Sequence, residues 1–144
     1  MNMNVVLDEG AIMPVKAHHA DAGWDLFARN DVIIPACTPG FGVGSAIHDT
    51  GVHIEIPVGY VGFLKSKSGL NVKHDITGEG VIDSGYTGSI VVKLYNHGNQ
   101  PYVIKKGEKL IQLVILPIFC GTFIQSNELK DTDRGAGGFG STGK

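Results

Sequence analysis

The sequence predicts a single all-β domain of the sandwich or barrel class that ends in a glycine-rich arm. Turn signals such as Pro39-Gly40 and Lys106-Gly107 recur about every eight to twelve residues, a spacing typical of sandwiches and barrels. The segments between them are short and rich in β-branched residues, and no segment keeps the 3.6-residue period of a helix. A length of 144 residues suits one domain with a sizeable core.

The predicted strands follow one another without a linker, a repeat or a second domain. Residues 52–56 alternate between apolar and polar, so that three apolar side chains share one face. Residues 110–116 are nearly all apolar, which predicts a strand buried on both faces. Further strands are predicted at residues 32–34, 60–64, 90–95 and 102–104.

One short helix and one polar arm complete the prediction. Residues 68–74 are compatible with one or two helical turns, with Ser68 as the N-cap. From about residue 127 the chain is polar and rich in glycine. We therefore expect a β domain over residues 1–126 and a flexible arm over residues 127–144.

Composition and charge exclude several classes of function. A net charge of −2 gives no general affinity for nucleic acid or membranes. The two distant cysteines, Cys37 and Cys120, and the six histidines lack zinc-binding spacing, and we expect buried, reduced thiols. The sequence shows neither a signal peptide nor a transmembrane run. We therefore expect a cytoplasmic protein without a nucleic-acid or membrane partner.

The C-terminal arm combines flexibility with groups that bind phosphates. Five of the last eleven residues are glycine, so the arm is not expected to hold one conformation without a ligand. Arg134, Ser141 and Thr142 are phosphate donors, and the flat face of Phe139 suits a nucleobase. This composition favours a lid that orders over a nucleotide, and a frayed terminus is the alternative.

Three other segments carry groups suited to phosphate or metal chemistry. Asp21 and Asp25, four residues apart, suit a magnesium site, although such spacing is also common in turns. Residues 66–69, Ser-Lys-Ser-Gly, place hydroxyls and a cation at the predicted helix start and either bind an anion or form a solvated turn. Gln112 is the polar residue of the apolar strand, and its amide either pairs within a core or subunit contact or binds a ligand.

Residues 80–88, with the sequence GVIDSGYTG, form the most catalytic-looking segment. We expect the apolar pair Val81 and Ile82 to hold the carboxylate of Asp83 rigidly, so that it can accept a proton from a water molecule. Tyr86, across a glycine turn, would form one wall of a pocket. A structural aspartate that only shapes the turn is the alternative.

Taken in order, five segments resemble the motifs of the homotrimeric dUTPase family. The segments are DAGWDL at 21–26, KSKSGL at 65–70, GVIDSGYTG at 80–88, GEKLIQL at 107–113 and RGAGGFGSTG at 134–143. The resemblance covers the chain from about Asp21 to Gly143. It implies a jelly-roll-like β-barrel of the dUTPase type (β-clip). It also implies three active sites at subunit junctions, each built from all three chains and closed by the arm.

The resemblance further implies the reaction, which is hydrolysis of dUTP to dUMP and pyrophosphate with Mg²⁺. In this reaction Asp83 would activate the attacking water, and Asp25 would orient the magnesium ion through water ligands. Tyr86 would pack under the deoxyribose and exclude a 2′-hydroxyl, while Phe139 would stack on the uracil. These four roles are expectations that come from the family and not from spacing.

The remaining substrate contacts are implied in the same way. The uracil edge would be read by the backbone of Gly80, Val81, Ile82 and Asp83. The phosphates would be bound at Lys67, Ser68, Gly69 and Gln112, and the arm would close over the β- and γ-phosphates through Arg134, Gly140, Ser141 and Thr142.

The chain departs from the family pattern at two points. Lys67 stands where the second motif usually has arginine, and a lysine cannot make the planar bidentate contact of a guanidinium. The segment between Lys73 and Gly80 is slightly shorter than in many relatives and lacks a uracil-contacting asparagine found in some of them. Two alternatives stay open: a bifunctional dCTP deaminase/dUTPase, and a nucleotide-responsive regulatory binding protein of the same fold.

Overall fold

Short antiparallel strands form nearly all of the regular secondary structure in the described part of the chain. The computed structural model describes residues 2–138, and these residues form eleven strands and one helix, which confirms the all-β prediction. The strands are β1 (Val5–Leu7), β2 (Gly23–Phe27), β3 (Val32–Ile34), β4 (Gly44–Asp49), β5 (Val52–Ile54), β6 (Tyr60–Lys65), β7 (Ile76–Thr77), β8 (Glu79–Asp83), β9 (Val91–Asn96), β10 (Tyr102–Ile104) and β11 (Lys109–Pro117). The helix is α1 (Ser68–His74).

Four sheets curl around one apolar core. The largest has the strand order β2-β11-β6-β8, and a second has the order β4-β9-β7. The two-stranded sheets β1-β5 and β10-β3 complete the barrel. This arrangement confirms the jelly-roll-like β-barrel that the resemblance implies, and it makes β11 the strand that joins β2 to β6.

Alternating side chains supply the core. In β9, Val92, Leu94 and Asn96 are buried while the residues between them are exposed. Burying each large aliphatic side chain stabilises the fold by about 1.5–3 kcal/mol. The amide of Asn96 is fully paired, because it donates to the carbonyl of Gln100 (2.8 Å) and accepts from the N–H of Gly98 (2.9 Å).

Strand β11 is buried on both faces over only part of its length. Leu110, Ile111 and Leu113 are buried, whereas Gln112 is half-buried and Leu116 is exposed. The expectation of double burial over residues 110–116 is therefore wrong for the second half. Beyond Val114, β11 still pairs with β6 but extends past the end of β2. The edge of β11 that faced β2 is therefore unpaired there.

The helix lies within the predicted residues 68–74, but its N-cap is one residue earlier than expected. Its N-cap is Lys67, no side chain caps it, and Ser68 is the first helical residue, so the assignment of Ser68 as N-cap is wrong. The helix ends at His74, and its C-cap, Asp75, adopts a left-handed conformation with φ of 56° and donates its N–H back to the last turn. This short helix carries the second-motif residues across the edge of the barrel.

The segment after β11 packs little against its own barrel. Residues 118–138 contain no helix or strand, and the predicted boundary after residue 126 falls within this segment. Phe119, Phe123, Ile124 and Leu129 are each exposed by nine-tenths or more in the isolated chain. The expectation of buried thiols is also wrong, because Cys120 is exposed and Cys37 is half-buried.

Among residues 2–138, no helix is long and apolar enough to span a bilayer.

Candidate active site

Two lysines hold the carboxylate of Asp25 on β2, an outer strand of the large sheet. Asp25 lies in β2 and is 7% exposed. Lys109 approaches its Oδ2 at 2.7 Å, and Lys67 pairs with its Oδ1. Burial by itself would raise the pKa of Asp25, but the hydrogen bonds from Lys109 and Lys67 outweigh burial and lower this pKa. Asp25 is thus a charged group at neutral pH.

Gln112 links this carboxylate to the second motif. It stands opposite Asp25 of β2 and opposite Lys65 of β6, so three motifs meet across three adjacent strands. Its Nε2 donates to the carbonyl of Ser66 at 3.2 Å. Gly23 leaves room for it, since a Cβ there would lie 2.9 Å from the Gln112 Oε1. Gln112 is therefore the amide that positions the chain just before α1.

Ser66 fixes the same loop from the other side. Its hydroxyl donates to the carbonyl of Gly78 (3.1 Å) and accepts from the N–H of Gly78 (3.0 Å). The hydroxyl of Ser66 is consequently saturated, while Ser68 and Gly69, at the start of α1, are exposed. Exposed groups on a fixed loop are available to a ligand without a large loss of conformational entropy.

A wide, shallow cleft of about 460 Å³ lies beside this loop. It is lined on one side by Lys67, Gly69 and Lys73 and on the other by Lys109 and Tyr102. Three ammonium groups and the two carboxylates of Asp25 and Glu108 leave one net positive charge beside this cleft, on a chain that is slightly acidic overall. We call Asp25, Lys67, Lys109 and Gln112 the lysine half-site.

The third motif lies on an edge strand. Strand β8 pairs only with β6, so the outer row of its backbone N–H and C=O groups is unpaired within the described chain. Ile82 is buried, but Val81 is 59% exposed and shares the outer face with Asp83. The expectation that Val81 and Ile82 together clamp Asp83 is wrong for Val81, and Ile82 alone anchors the strand in the core. We call residues 80–86 the Asp83 half-site.

Tyr86 is held by its own turn. Its backbone N–H donates to the carbonyl of Asp83 (3.2 Å), and its hydroxyl donates to the carbonyl of Ser89 (2.9 Å). Gly85 has a φ of 85°, a left-handed conformation that favours glycine. Gly88 is required by contact, because a Cβ there would lie 2.5 Å from the Tyr86 hydroxyl oxygen. The ring is half-exposed and forms a flat wall beside Asp83.

The two half-sites lie far apart within one chain. Asp83 stands opposite Val61 on β6, whereas Gln112 stands opposite Lys65. Four residues along β6 span about 13 Å, and the three strand spacings from β2 to β8 span roughly 14 Å. The described part of a single chain therefore does not bring Asp83 into contact with Asp25.

Only part of the arm lies among the residues that the structure describes. Arg134 is exposed, and its Nε donates to the carbonyl of Gly137 at 3.0 Å, a contact within its own turn. The predicted contacts of Phe139, Gly140, Ser141 and Thr142 lie outside the described residues.

The described residues do not form a preformed metal cage. Within residues 2–138, no three His, Cys, Asp or Glu side chains are grouped so that they could hold an ion. The carboxylate of Asp21 accepts a hydrogen bond from the N–H of His18, whereas the carboxylate of Asp25 pairs with the two lysines. The two carboxylates of the first motif therefore do not share one set of partners. A carboxylate has about four acceptor positions, and the lysines occupy two on Asp25. Asp25 thus fits magnesium held through water, with phosphate oxygens as the inner ligands.

Sequence reasoning missed Lys109 and Lys73 as members of the site. Both lysines lie within or near the motifs in the sequence. Only the pairing of the strands and the position of the helix show that they line the site. Lys109 reaches Asp25 only because β11 lies beside β2, and Lys73 faces the same cleft one helical turn after Gly69.

Comparison with known proteins gives one consistent family. A family model described as dUTPase matches residues 9–143. The deoxyuridine 5'-triphosphate nucleotidohydrolase of Nautilia profundicola is 44% identical over 141 residues, which is 96% of this chain and 95% of that protein. The enzyme of the same name from Clostridium acetobutylicum is 39% identical over 140 residues, which is 95% and 92% of the two chains.

Solved structures agree with the sequence relatives. The Staphylococcus bacteriophage 80alpha dUTPase with dUPNHPP superimposes with a TM-score of 0.89 at 31% identity and covers 99% of both chains. A mutant dUTPase from phage phi11 of S. aureus, whose structure concerns the coordination of a structural Mg(II) ion, gives a TM-score of 0.80 at 30% identity. It covers 91% of this chain and 100% of that one.

Proposed function

Because the chain belongs to the dUTPase family and is a dUTP diphosphatase, we propose that Asp83 is the general base of this hydrolysis and that the lysine half-site binds the triphosphate. The observation that supports the phosphate assignment is the meeting of three motifs, through Asp25, Gln112 and the Lys65–Lys67 loop, beside a cleft lined by three lysines. Water attacks the α-phosphorus of dUTP, and dUMP and pyrophosphate leave.

The proposed chemical step uses one carboxylate. Asp83 orients a water molecule and takes its proton as the new bond forms between the water oxygen and the α-phosphorus. The bond from that phosphorus to the oxygen bridging to the β-phosphorus breaks, and pyrophosphate carries away the electron pair. Ile82, buried one residue before, keeps the carboxylate in place, and such positioning supplies much of the acceleration of phosphoryl transfer.

The proposed phosphate contacts use charge and exposed donors. Lys67 has three N–H donors and gives one to Asp25, so two remain for a phosphate. Ser68 and Gly69 offer an exposed hydroxyl and backbone N–H groups, and Gln112 holds the loop that carries them. Arg134, Phe139, Gly140, Ser141 and Thr142 are proposed to close over the base and the outer phosphates as the arm of residues 127–144 orders.

The proposed selection of the nucleoside uses the edge of β8 and the ring of Tyr86. The unpaired backbone groups of Gly80, Val81 and Ile82 can pair with the polar edge of uracil, as an added strand would pair with a sheet edge. Tyr86 offers a flat surface to the sugar and leaves little room for a 2′-hydroxyl. A polar group forced against an aromatic face without a partner loses binding free energy, which favours the deoxy sugar.

We propose Mg²⁺ as the metal, held by Asp25 through water. Bound to the triphosphate, the ion supplies neutralisation of the charge that develops on the phosphate oxygens. Asp25 contributes a charged carboxylate at neutral pH, and its two lysine partners keep it pointed toward the cleft.

We further propose a homotrimer with shared active sites. The separation of the two half-sites within one chain supports it, because the reaction needs both around one nucleotide. The exposed apolar side chains of residues 118–129 also support it, since a contiguous exposed apolar segment favours burial against another chain. The Asp83 half-site of one subunit would then face the lysine half-site of a second, and the third would contribute its arm.

One assay separates this function from its alternatives. With Mg²⁺ present, pyrophosphate release is measured for dUTP, UTP, dCTP and dTTP, and deamination of dCTP is followed in parallel. We expect pyrophosphate release from dUTP to be much faster than from UTP, dCTP or dTTP, and we expect no deamination. Ammonia release from dCTP would establish the bifunctional alternative, which the names of the relatives do not favour. Nucleotide binding without turnover would establish the regulatory one.

A further inference from the structure

The turn that carries Tyr86 is fastened by two side chains to the β4–β5 segment, in which a short turn joins strands of two different sheets. The ring Nδ1 of His53, in β5, lies 2.8 Å from the carbonyl oxygen of Thr87. The hydroxyl of Ser89 donates to the carboxylate of Asp49 at the end of β4. Asp49 also accepts from the N–H of Gly51 at 2.9 Å, which fixes its orientation. Two residues that follow Tyr86, Thr87 and Ser89, are thus tied to the β4–β5 segment.

The geometry of His53 requires two N–H donors on one ring. Its Nε2 lies 3.2 Å from Oδ1 of Asp8, the residue that directly follows β1. A backbone carbonyl and an ionised carboxylate are both acceptors only, so each ring nitrogen must donate. Only the imidazolium form meets both partners. A neutral ring has a single proton, and the charge-assisted bond to Asp8 competes for it with the carbonyl of Thr87.

The charges around the ring favour this protonated form. Asp8 and Asp49 are negative neighbours, while Arg29 pairs with Asp8 at 3.4 Å and Glu55, held by Asn4, borders the same groove. The hydrogen bond to the carbonyl of Thr87 raises the pKa of His53 the most, burial has the next largest effect and lowers it, and Asp8 and Asp49 raise it further, so that the net direction is upward. The positive group nearby is Arg29, which is shared between the carboxylate of Asp8 and the carbonyl of Glu9.

These contacts matter because the turn has little stiffness of its own. Gly85 and Gly88 flank Tyr86, and glycine leaves the backbone more conformations than any other residue. The Tyr86 hydroxyl bonds to the carbonyl of Ser89, so the ring moves with the Thr87–Ser89 backbone. If the Thr87 anchor is lost, the ring keeps only the Ser89 anchor.

We propose that protonated His53 is a positioning residue for sugar selection, which it serves by holding Thr87 and, through it, the ring of Tyr86 against the deoxyribose. The inference rests on the proposed role of Tyr86 in the hydrolysis of dUTP. Its consequence is that discrimination between dUTP and UTP declines as His53 loses its proton.

The test measures the ratio of kcat/KM for dUTP to kcat/KM for UTP between pH 5.5 and 9. Both nucleotides carry the same triphosphate, so titration of the phosphates and of the general base cancels in the ratio. We expect the ratio to fall about 3- to 10-fold with rising pH, the effect of losing one ordinary hydrogen bond. The midpoint should match the pKa of the His53 ring measured by NMR, and KM for UTP should change more than kcat.

Three variants make the test specific. His53→Phe keeps a ring but removes both donors, so its ratio should be low and independent of pH. Asp8→Asn keeps an acceptor but removes a charge, so the midpoint should move to lower pH. His97→Phe is the matched control, because the ring of His97 also bonds a neighbour, Thr77 at 2.8 Å, and should behave as the wild type does.

The outcomes separate the two levels of inference. A wild-type ratio that stays constant across the pH range, or a His97→Phe ratio that falls as much as that of His53→Phe, would overturn the positioning role alone. Absence of dUTP hydrolysis by the wild type at every pH would overturn the proposed function, and the positioning role with it.

Discussion

Lys67 and Asp25 form an ion pair that joins the first and second motifs inside one chain. Lys67 stands where the family usually has arginine, and a single ammonium cannot grip both oxygens of a carboxylate. Here Lys109 takes the second oxygen at 2.7 Å. Two lysines from different elements thus hold the carboxylate that one guanidinium can hold by a bidentate contact.

Replacement of Lys67 should separate charge from geometry. Lys67→Arg should keep activity within a few-fold, because the charge stays and the second oxygen is already paired. Lys67→Ala should lower kcat/KM about tenfold or more and the free energy of unfolding by about 1–3 kcal/mol, since Asp25 loses a charged partner. Steady-state kinetics and chemical denaturation measure the two effects.

The matched control is Lys105→Ala, which removes an exposed ion pair with Asp31. Equal losses in both alanine variants would contradict a special role of Lys67.

Asp83→Asn should abolish most of the turnover and spare binding. Loss of a general base lowers kcat by about 10²–10⁴, while the amide keeps the shape of the side chain. Single-turnover pyrophosphate release and calorimetric binding of a non-hydrolysable dUTP analogue measure the two quantities. Asp31→Asn, in the exposed β2–β3 turn, should leave both unchanged. Near-normal turnover of Asp83→Asn would show that another group takes the proton.

Mixing two impaired variants should raise activity above that of either variant alone if the half-sites of different chains meet. Asp83→Asn subunits carry an intact lysine half-site, and Lys67→Ala subunits carry an intact Asp83. After co-refolding in equal amounts, about a quarter of the sites in a random trimer should combine both intact halves. Light scattering should give three times the mass of 15.3 kDa. A stable monomer, or a mixture no more active than its components, contradicts shared sites.

His48 should make the fold less stable in mild acid. It is buried, and its Nε2 accepts the N–H of Arg29 at 2.9 Å, which requires an unprotonated nitrogen. Burial lowers its pKa below the ordinary 6.5, and Arg29 adds to this effect against the opposite influence of Asp49. The unfolded chain then binds more protons below about pH 6.5, so stability falls as pH decreases through that value.

Denaturation at fixed protein concentration between pH 5 and 8 measures this dependence, and His48→Gln should flatten it. The raised pKa of His53 acts with the opposite sign, because it stabilises the fold at lower pH and this contribution is lost as pH rises through the folded value. A midpoint that does not change in His48→Gln relative to the wild type would assign the acid sensitivity to other groups.

Deletion of residues 134–144 should remove activity without unfolding the protein. Residues 118–133 already lack helix and strand, so the deleted part is not expected to support the barrel. Turnover should fall steeply, because Phe139 stacking alone is worth about 1–3 kcal/mol and Arg134 adds a charge-assisted phosphate contact. Thermal denaturation, light scattering and kinetics check the three statements. A truncated protein with full activity would restore the interpretation of a frayed terminus.

Much of the fold and the identity of most site residues could be predicted because they depend on local pattern. Strands β3 and β10 were predicted with their observed bounds, and β6 within one residue, since they are short apolar runs between clear turns. Strands β1, β2, β4, β7 and β8 were missed. These segments lack a regular alternation of apolar and polar residues. In β4, for example, His48 is buried whereas Ile47 is exposed.

The tertiary structure alone decided which of these residues meet. Pairing register is a long-range property, because strands distant in sequence choose partners by how well whole faces pack, and a local pattern does not encode this choice. That register set Gln112 between Asp25 and Lys65, gave Asp25 its second lysine, and placed His53 beneath Thr87. It also separated Asp83 from Asp25 by about 13 Å along the strands and roughly 14 Å across them. The sequence by itself determined the chemistry available to the protein, whereas the packing of strands decided how that chemistry is divided along the chain.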